Sequence, residues 1–223
     1  MIVLFGVVTA LLTGRQAGDL RITLVGNAGV MLSDGATTLL VDLPYESGAF
    51  GYQTYDPDAL QPAGTAVAVV THDHRDHFAL DLFRRRPSWS VIGPRGITER
   101  LPASRVLPGD SVAVGGFSVV AIPTPHIEGH RSYRVRWGGK VLYFTGDTEV
   151  PAFLGKAPPI DILFVTPWLS CEAAKTDLLS RAARRIGYHF SPEGTDRVCG
   201  AVEQLPQGTS FAVAPRAGPR AGR

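Results

Sequence analysis

From Leu20 onward the apolar residues come in short runs rich in Val, Ile and Thr, broken by Gly, Asp and Pro, which is the pattern of strands and turns. Arg21 to Val25 and Val30 to Leu32 read as strands on either side of Gly26-Asn27-Ala28-Gly29, and Ser33-Asp34-Gly35 turns the chain into Thr37 to Val41. Ala66 to Thr71, Phe117 to Ile122, Ser132 to Trp137, Lys140 to Phe144 and Ile160 to Val165 are further strands, with Gly138-Gly139 as a two-residue hairpin turn. Helical spacing appears in Phe78 to Arg86, in Pro192 to Leu205, and in Glu172 to Ile186, where Ala174, Leu178, Ala182 and Ile186 recur every four residues. Strands come first and a mixture follows, without strict βαβ alternation. The pattern therefore predicts an α+β sheet sandwich covered by helices rather than a doubly wound parallel sheet.

A chain of 223 residues, 44% hydrophobic and 19% charged, has the balance of one globular domain. The net charge is only +2 and the Arg residues are scattered or terminal, so no basic stripe for nucleic acid is expected. Residues 215–223, Pro215 to Arg223, read as a flexible basic tail with nothing to bury. Met1 to Leu12 is mostly apolar and is followed by small and polar residues, so 1–18 reads as a signal or export segment. That reading implies a periplasmic or secreted protein. No Lys or Arg precedes the run and it is too short to span a bilayer, which leaves a first β-strand of a cytoplasmic protein as the alternative. Residues 19–214 are then the folded domain. Cys171 and Cys199 do not form a zinc-ribbon pattern; a disulfide between them is compatible with the sequence but not required by it.

The densest chemistry is Thr71-His72-Asp73-His74-Arg75-Asp76-His77, directly after an apolar strand. Residues two apart on extended chain point to the same side, so His72 and His74 can grip one ion while the following turn carries Asp76 and His77 to another. His-x-His-x-Asp-His at a strand end resembles the signature of the metallo-β-lactamase superfamily. The resemblance implies a four-layer αββα sandwich with two metal ions at one edge. It also implies three further ligands: His126, seven residues before Tyr133, with His130 as its competitor; Asp147 in Gly146-Asp147-Thr148, bridging both ions; and His189, between the second and third helices. His130 is expected at the mouth of the site without binding metal. Gly26-Asn27-Ala28-Gly29 looks like the opening hairpin of the small lactonase-like branch.

Two divalent ions, zinc first and manganese or iron as alternatives, would activate water at neutral pH and polarise an acyl or phosphoryl oxygen. Within the resembled superfamily, di-iron reductases carry Glu where this chain has His74, and true β-lactamases carry Cys or Ser where it has Asp147. The expectation is a hydrolase of a small ester or lactone-type substrate, with Asp76 both a ligand and catalytic. A phosphodiesterase and a mononuclear iron sulfur dioxygenase are the alternatives. The pocket walls are expected from the loops Tyr45 to Tyr55 and Pro167 to Cys171.

Overall fold

The computed structural model describes residues 18–217, so the export segment expected at 1–18 lies almost wholly outside the described residues. Among the described residues, thirteen strands run in chain order as β1 (Leu20–Gly26), β2 (Gly29–Ser33), β3 (Thr37–Val41), β4 (Thr65–Val69), β5 (Ser90–Ile92), β6 (Ser111–Val114), β7 (Phe117–Pro123), β8 (Arg131–Trp137), β9 (Lys140–Phe144), β10 (Ile160–Val165), β11 (Ala182–Gly187), β12 (Glu203–Gln204) and β13 (Ser210–Val213). The helices are short: α1 (Leu80–Arg84), α2 (Arg95–Thr98), α3 (Ala152–Gly155) and α4 (Pro167–Ala174). Among the described residues, no helix is long and apolar enough to cross a membrane.

The strands form two sheets, in the orders β13-β1-β2-β3-β4-β5 and β12-β11-β10-β9-β8-β7-β6. In the first, β3, β4 and β5 run parallel and the hairpins β1-β2 and β2-β3 are antiparallel. In the second, β9, β10, β11 and β12 run parallel while β6 to β9 form an antiparallel meander. These directions bring the C-terminal ends of β1, β3 and β4 to one edge of the first sheet. They likewise bring the ends of β7, β9 and β11 to one edge of the second.

Period-two alternation builds the layers. Ile22, Val30, Leu39, Val41, Val67 and Val69 face inward against Val119, Tyr133, Val135, Leu142, Phe144 and Phe164. The opposite parity of the first sheet, including Leu40, Ala68 and Val70, packs under Phe83 of α1 and Ile97 of α2. Tyr143, Leu163 and Val165 of the second sheet pack under Leu154 of α3 and Leu169 of α4. Helix, sheet, sheet, helix is the expected four-layer α+β sandwich.

Two expected helices are corrected. Glu172 to Ile186 is the end of α4, a 3-10 turn at Leu178–Arg181, and β11. Asp177 at φ +55 stops the helix, and the period-four residues Ala182 and Ile186 are the buried ends of a strand between β10 and β12. The helix instead starts at Pro167, where the Thr166 hydroxyl accepts from the Leu169 amide, so the expected 167–171 loop is helical. Pro192 to Leu205 is not a helix either. Gly194 and Gly200 adopt positive φ, the run is mostly exposed, and it ends in β12. A disulfide joins Cys199 in this segment to Cys171 on α4. Arg216, assigned from the sequence to a free tail, is docked: its amide donates to Gly138 O at 2.7 Å and its guanidinium pairs with Asp161 at 3.1 Å.

Candidate metal centre

The chain leaves β4 with the Thr71 amide donating to Asp42 Oδ1 at 2.7 Å, then tightens into a turn in which the His77 and Phe78 amides both donate to His74 O. This geometry splits the motif. His72 and His74 face one another, Nε2 to Nδ1 at 2.9 Å, while His77 Nε2 faces Asp76 Oδ2 at 3.5 Å. Asp147 follows β9, and its Oδ2 lies 3.8 Å from His72 Nε2 and 4.0 Å from His126 Nε2. The same oxygen is 3.2 Å from His77 Nε2 and 3.3 Å from His189 Nε2. His189 follows β11 rather than a helix, at φ +61, and its Nε2 is 3.2 Å from Asp76 Oδ2.

All seven predicted ligands thus meet in two donor groups that share Asp147: His72, His74, His126 and Asp147, and Asp76, His77, Asp147 and His189. Within each group the donor atoms lie within 4.8 Å of one another. Asp76 Oδ1 and Asp147 Oδ1 are buried without any hydrogen-bond partner. Two orphaned carboxylate oxygens among imidazole nitrogens that crowd to 2.9 and 3.0 Å form a donor set suited to divalent cations, because a cation can satisfy all of them together.

Three supporting features were not read from the sequence. Asp42, wholly buried after β3, accepts from the Thr71 amide and hydroxyl and contacts His77 Nδ1 at 3.0 Å, which directs His77 Nε2 at the centre. Its signal was an acid directly after the apolar run Leu39-Leu40-Val41. Asn27, in the β1-β2 turn at φ +48, donates its amide to Asp76 O at 2.9 Å, and its own carbonyl accepts from the His189 amide at 3.0 Å. Tyr188 accepts the Gly146 amide at 2.7 Å, and the positive φ of Gly146 lets the chain turn beneath Asp147.

His130 is in neither donor group, but it is not at the mouth: it is buried behind Asp147. The Asp147 amide donates to its Nε2 at 3.0 Å, and its Nδ1 faces Thr124 Oγ1 at 2.9 Å. A Cβ on Gly146 would come 2.5 Å from His130 Nε2, so glycine is required there.

Burial and charge act against each other across the site. Burial opposes ionisation of Asp147, but His77 and His189 outweigh it and hold its carboxyl well below the usual range. Burial also opposes a charged His77, yet Asp147 and Asp42 raise its pKa well above the ordinary value. His72 and His130 are lowered by burial first and by neighbouring imidazoles second, His130 to about 4. Above the donors opens a cleft of about 450 Å3, walled by Phe50 and Tyr52 of the expected 45–55 loop, by Glu149, and by Trp168 at the start of α4.

Two face-to-face sheets flanked by helices, with imidazole and carboxylate donors at the strand ends along one edge, define the metallo-β-lactamase fold. The chain belongs to the beta-lactamase superfamily: the model of the Beta-lactamase superfamily domain matches residues 50–208. It is 30% identical over 152 residues to a UPF0173 metal-dependent hydrolase from Ruegeria sp. (strain TM1040); the match covers 60% of this chain and 65% of that relative. Among solved structures it is similar to Igni18, a metallo hydrolase from the archaeon Ignicoccus hospitalis, with a TM-score of 0.65 and 16% identity over 88% of this chain and 99% of that one. It is also similar to the metallo-beta-lactamase fold protein YhfI from Bacillus subtilis, with a TM-score of 0.64 and 18% identity over 88% of this chain and 100% of that one. These structural likenesses concern the fold.

Proposed function

We propose that this chain is a metal-dependent hydrolase holding two divalent ions, one by His72, His74 and His126, the other by Asp76, His77 and His189, with Asp147 shared. The observation that carries this reading is the pair of donor groups joined through one buried carboxylate. The metal-dependent hydrolase from Ruegeria supports it. Divalent ions bound there would supply Lewis acidity toward an acyl oxygen and bring the pKa of water to about 7. Zinc suits imidazole and carboxylate donors, and no thiolate competes because both cysteines are in the disulfide.

The chain's own groups then divide the work. Asp76, whose burial cost is outweighed by His189 and His77 so that its pKa is lowered, stays ionised at neutral pH and accepts the proton of the attacking water. Asp42 fixes the ring of His77, Asn27 fixes Asp76, and His130 fixes the Asp147 backbone. Phe50, Tyr52 and Trp168 offer apolar walls to a small carboxylic ester or lactone-type substrate, whereas a phosphodiester finds no Lys or Arg in the lining among the described residues. The disulfide supports export to an oxidising compartment.

The test is metal analysis of the purified protein together with a panel of lactones, carboxylic esters and phosphodiesters. Two equivalents of metal and cleavage of esters or lactones are expected. A ceiling of one equivalent would remove the dinuclear assignment, and a preference for phosphodiesters would remove the substrate class. Iron with oxygen uptake on a persulfide would replace the hydrolase reading with a dioxygenase.

A further inference from the structure

The cleft above the donors is chemically one-sided. Beyond the donors its lining is Phe50, Tyr52, Trp168 and Glu149, and among the described residues no Lys or Arg joins it. Glu149 is exposed and belongs to neither donor group. Among the described residues the exposed large hydrophobic side chains are Phe50, 65% exposed, and Val150, the neighbour of Glu149. Of the two, Phe50 lines this cleft. Phe50 also holds φ at +52, an uncommon conformation for a residue with a bulky side chain. Tyr52 and Trp168 stand at steep angles to His189, with ring centroids 4.4 and 5.2 Å away, and Phe50 stands 6.2 Å from His74. Arg75, whose Cζ lies 5.9 Å from the Phe50 ring centroid, is paired with Glu46 and is not part of the lining.

We propose that the non-reacting end of the substrate is an alkylammonium group, held between these aromatic rings and the Glu149 carboxylate. The proposal rests on the hydrolase reading of the same cleft. An ammonium gains from aromatic faces and from a carboxylate at once. An anionic end would meet Glu149 with no basic partner, and a neutral apolar end would gain from the rings but nothing from Glu149.

The test uses the zinc-supplied full-length protein with choline and with its neutral isostere, in which carbon replaces the ammonium nitrogen. Binding is read by calorimetry and by tryptophan fluorescence, without turnover. Choline should bind about tenfold more tightly than the isostere. Glu149→Gln should lower choline affinity several-fold and leave the isostere unchanged, and Phe50→Ala should weaken both. Equal affinities, no choline binding, or a preference that survives both substitutions overturns the proposal. Hydrolysis of choline esters and of the neutral esters separates this result from the underlying reading. Cleavage of both at the same kcat/KM overturns the ammonium proposal and keeps the hydrolase. Choline binding without cleavage of any ester or lactone supports the ammonium site and overturns the hydrolase.

Discussion

The Asn27 side chain reaches from the first hairpin to Asp76, donating to its carbonyl at 2.9 Å and standing 3.4 Å from its Oδ2. Asn27→Gly keeps the positive φ that the turn requires and removes only this link. Affinity for the second ion should fall roughly tenfold to a hundredfold, as expected for loss of a partner that orients a ligand. Competition against a chelator measures it. Wild-type affinity in the variant would leave Asn27 a turn residue alone.

Asp42→Ala strips His77 and Thr71 of their shared acceptor in a fully buried place. The cost should be about 3 kcal/mol in urea unfolding of the metal-free protein, because one partner of a buried pair is left behind. Asp42→Asn, which keeps an acceptor, should cost less. Equal losses in the two variants would assign the effect to packing.

His126→Ala and His130→Ala should diverge. The first removes a donor and should lower metal content; the second should retain metal and lose about 1–2 kcal/mol of stability, since the Asp147 amide is orphaned. The reverse pattern in metal analysis would exchange their roles.

Asp76→Asn keeps the size and removes the charge. Turnover should drop about a hundredfold or more while KM changes less, because the carboxylate acts mainly in the transition state. Near-normal turnover with full metal content would make Asp76 structural.

In metal-free protein the imidazoles pull in opposite directions. His130 has a folded pKa lowered to about 4, so the stability it gives is present above the unfolded value of about 6.5 and is lost as pH falls toward the folded one. His77, raised by Asp147 and Asp42 against its burial, gives stability that is present below about 6.5 and lost as pH rises through its folded value. The melting temperature should peak near about pH 6.5, and His130→Gln should lessen the loss on the acid side, to which the lowered His72 also contributes. A profile without a maximum would contradict this balance.

The grouping of the seven candidate donors was legible because strand ends are announced locally: an apolar run stops and a His or Asp follows, as at His72 and Asp147. The strands that carry most of the core were legible for the same reason. What failed was the region from 167 to 205. There Ala182 and Ile186 satisfy a helical period and a strand period equally, and only pairing with β10 and β12 decides between them. Strands β5, β6 and β13 were missed because three or four residues carry too little alternation to register. Asn27 and His130 do their work through contacts across 49 and 17 positions, which no local pattern reports.

Neither sheet owns a complete donor group. The first supplies His72, His74, Asp76 and His77, and the second supplies His126, Asp147 and His189. An ion held by either group would therefore be a rivet across the seam between the sheets, and occupancy and cohesion of that edge become one equilibrium. Free metal at a hundred times its dissociation constant would add about 2.7 kcal/mol against unfolding. In a metal-poor medium the seam would open first at the end where the chemistry sits, so scarcity would silence the protein before it unfolds it.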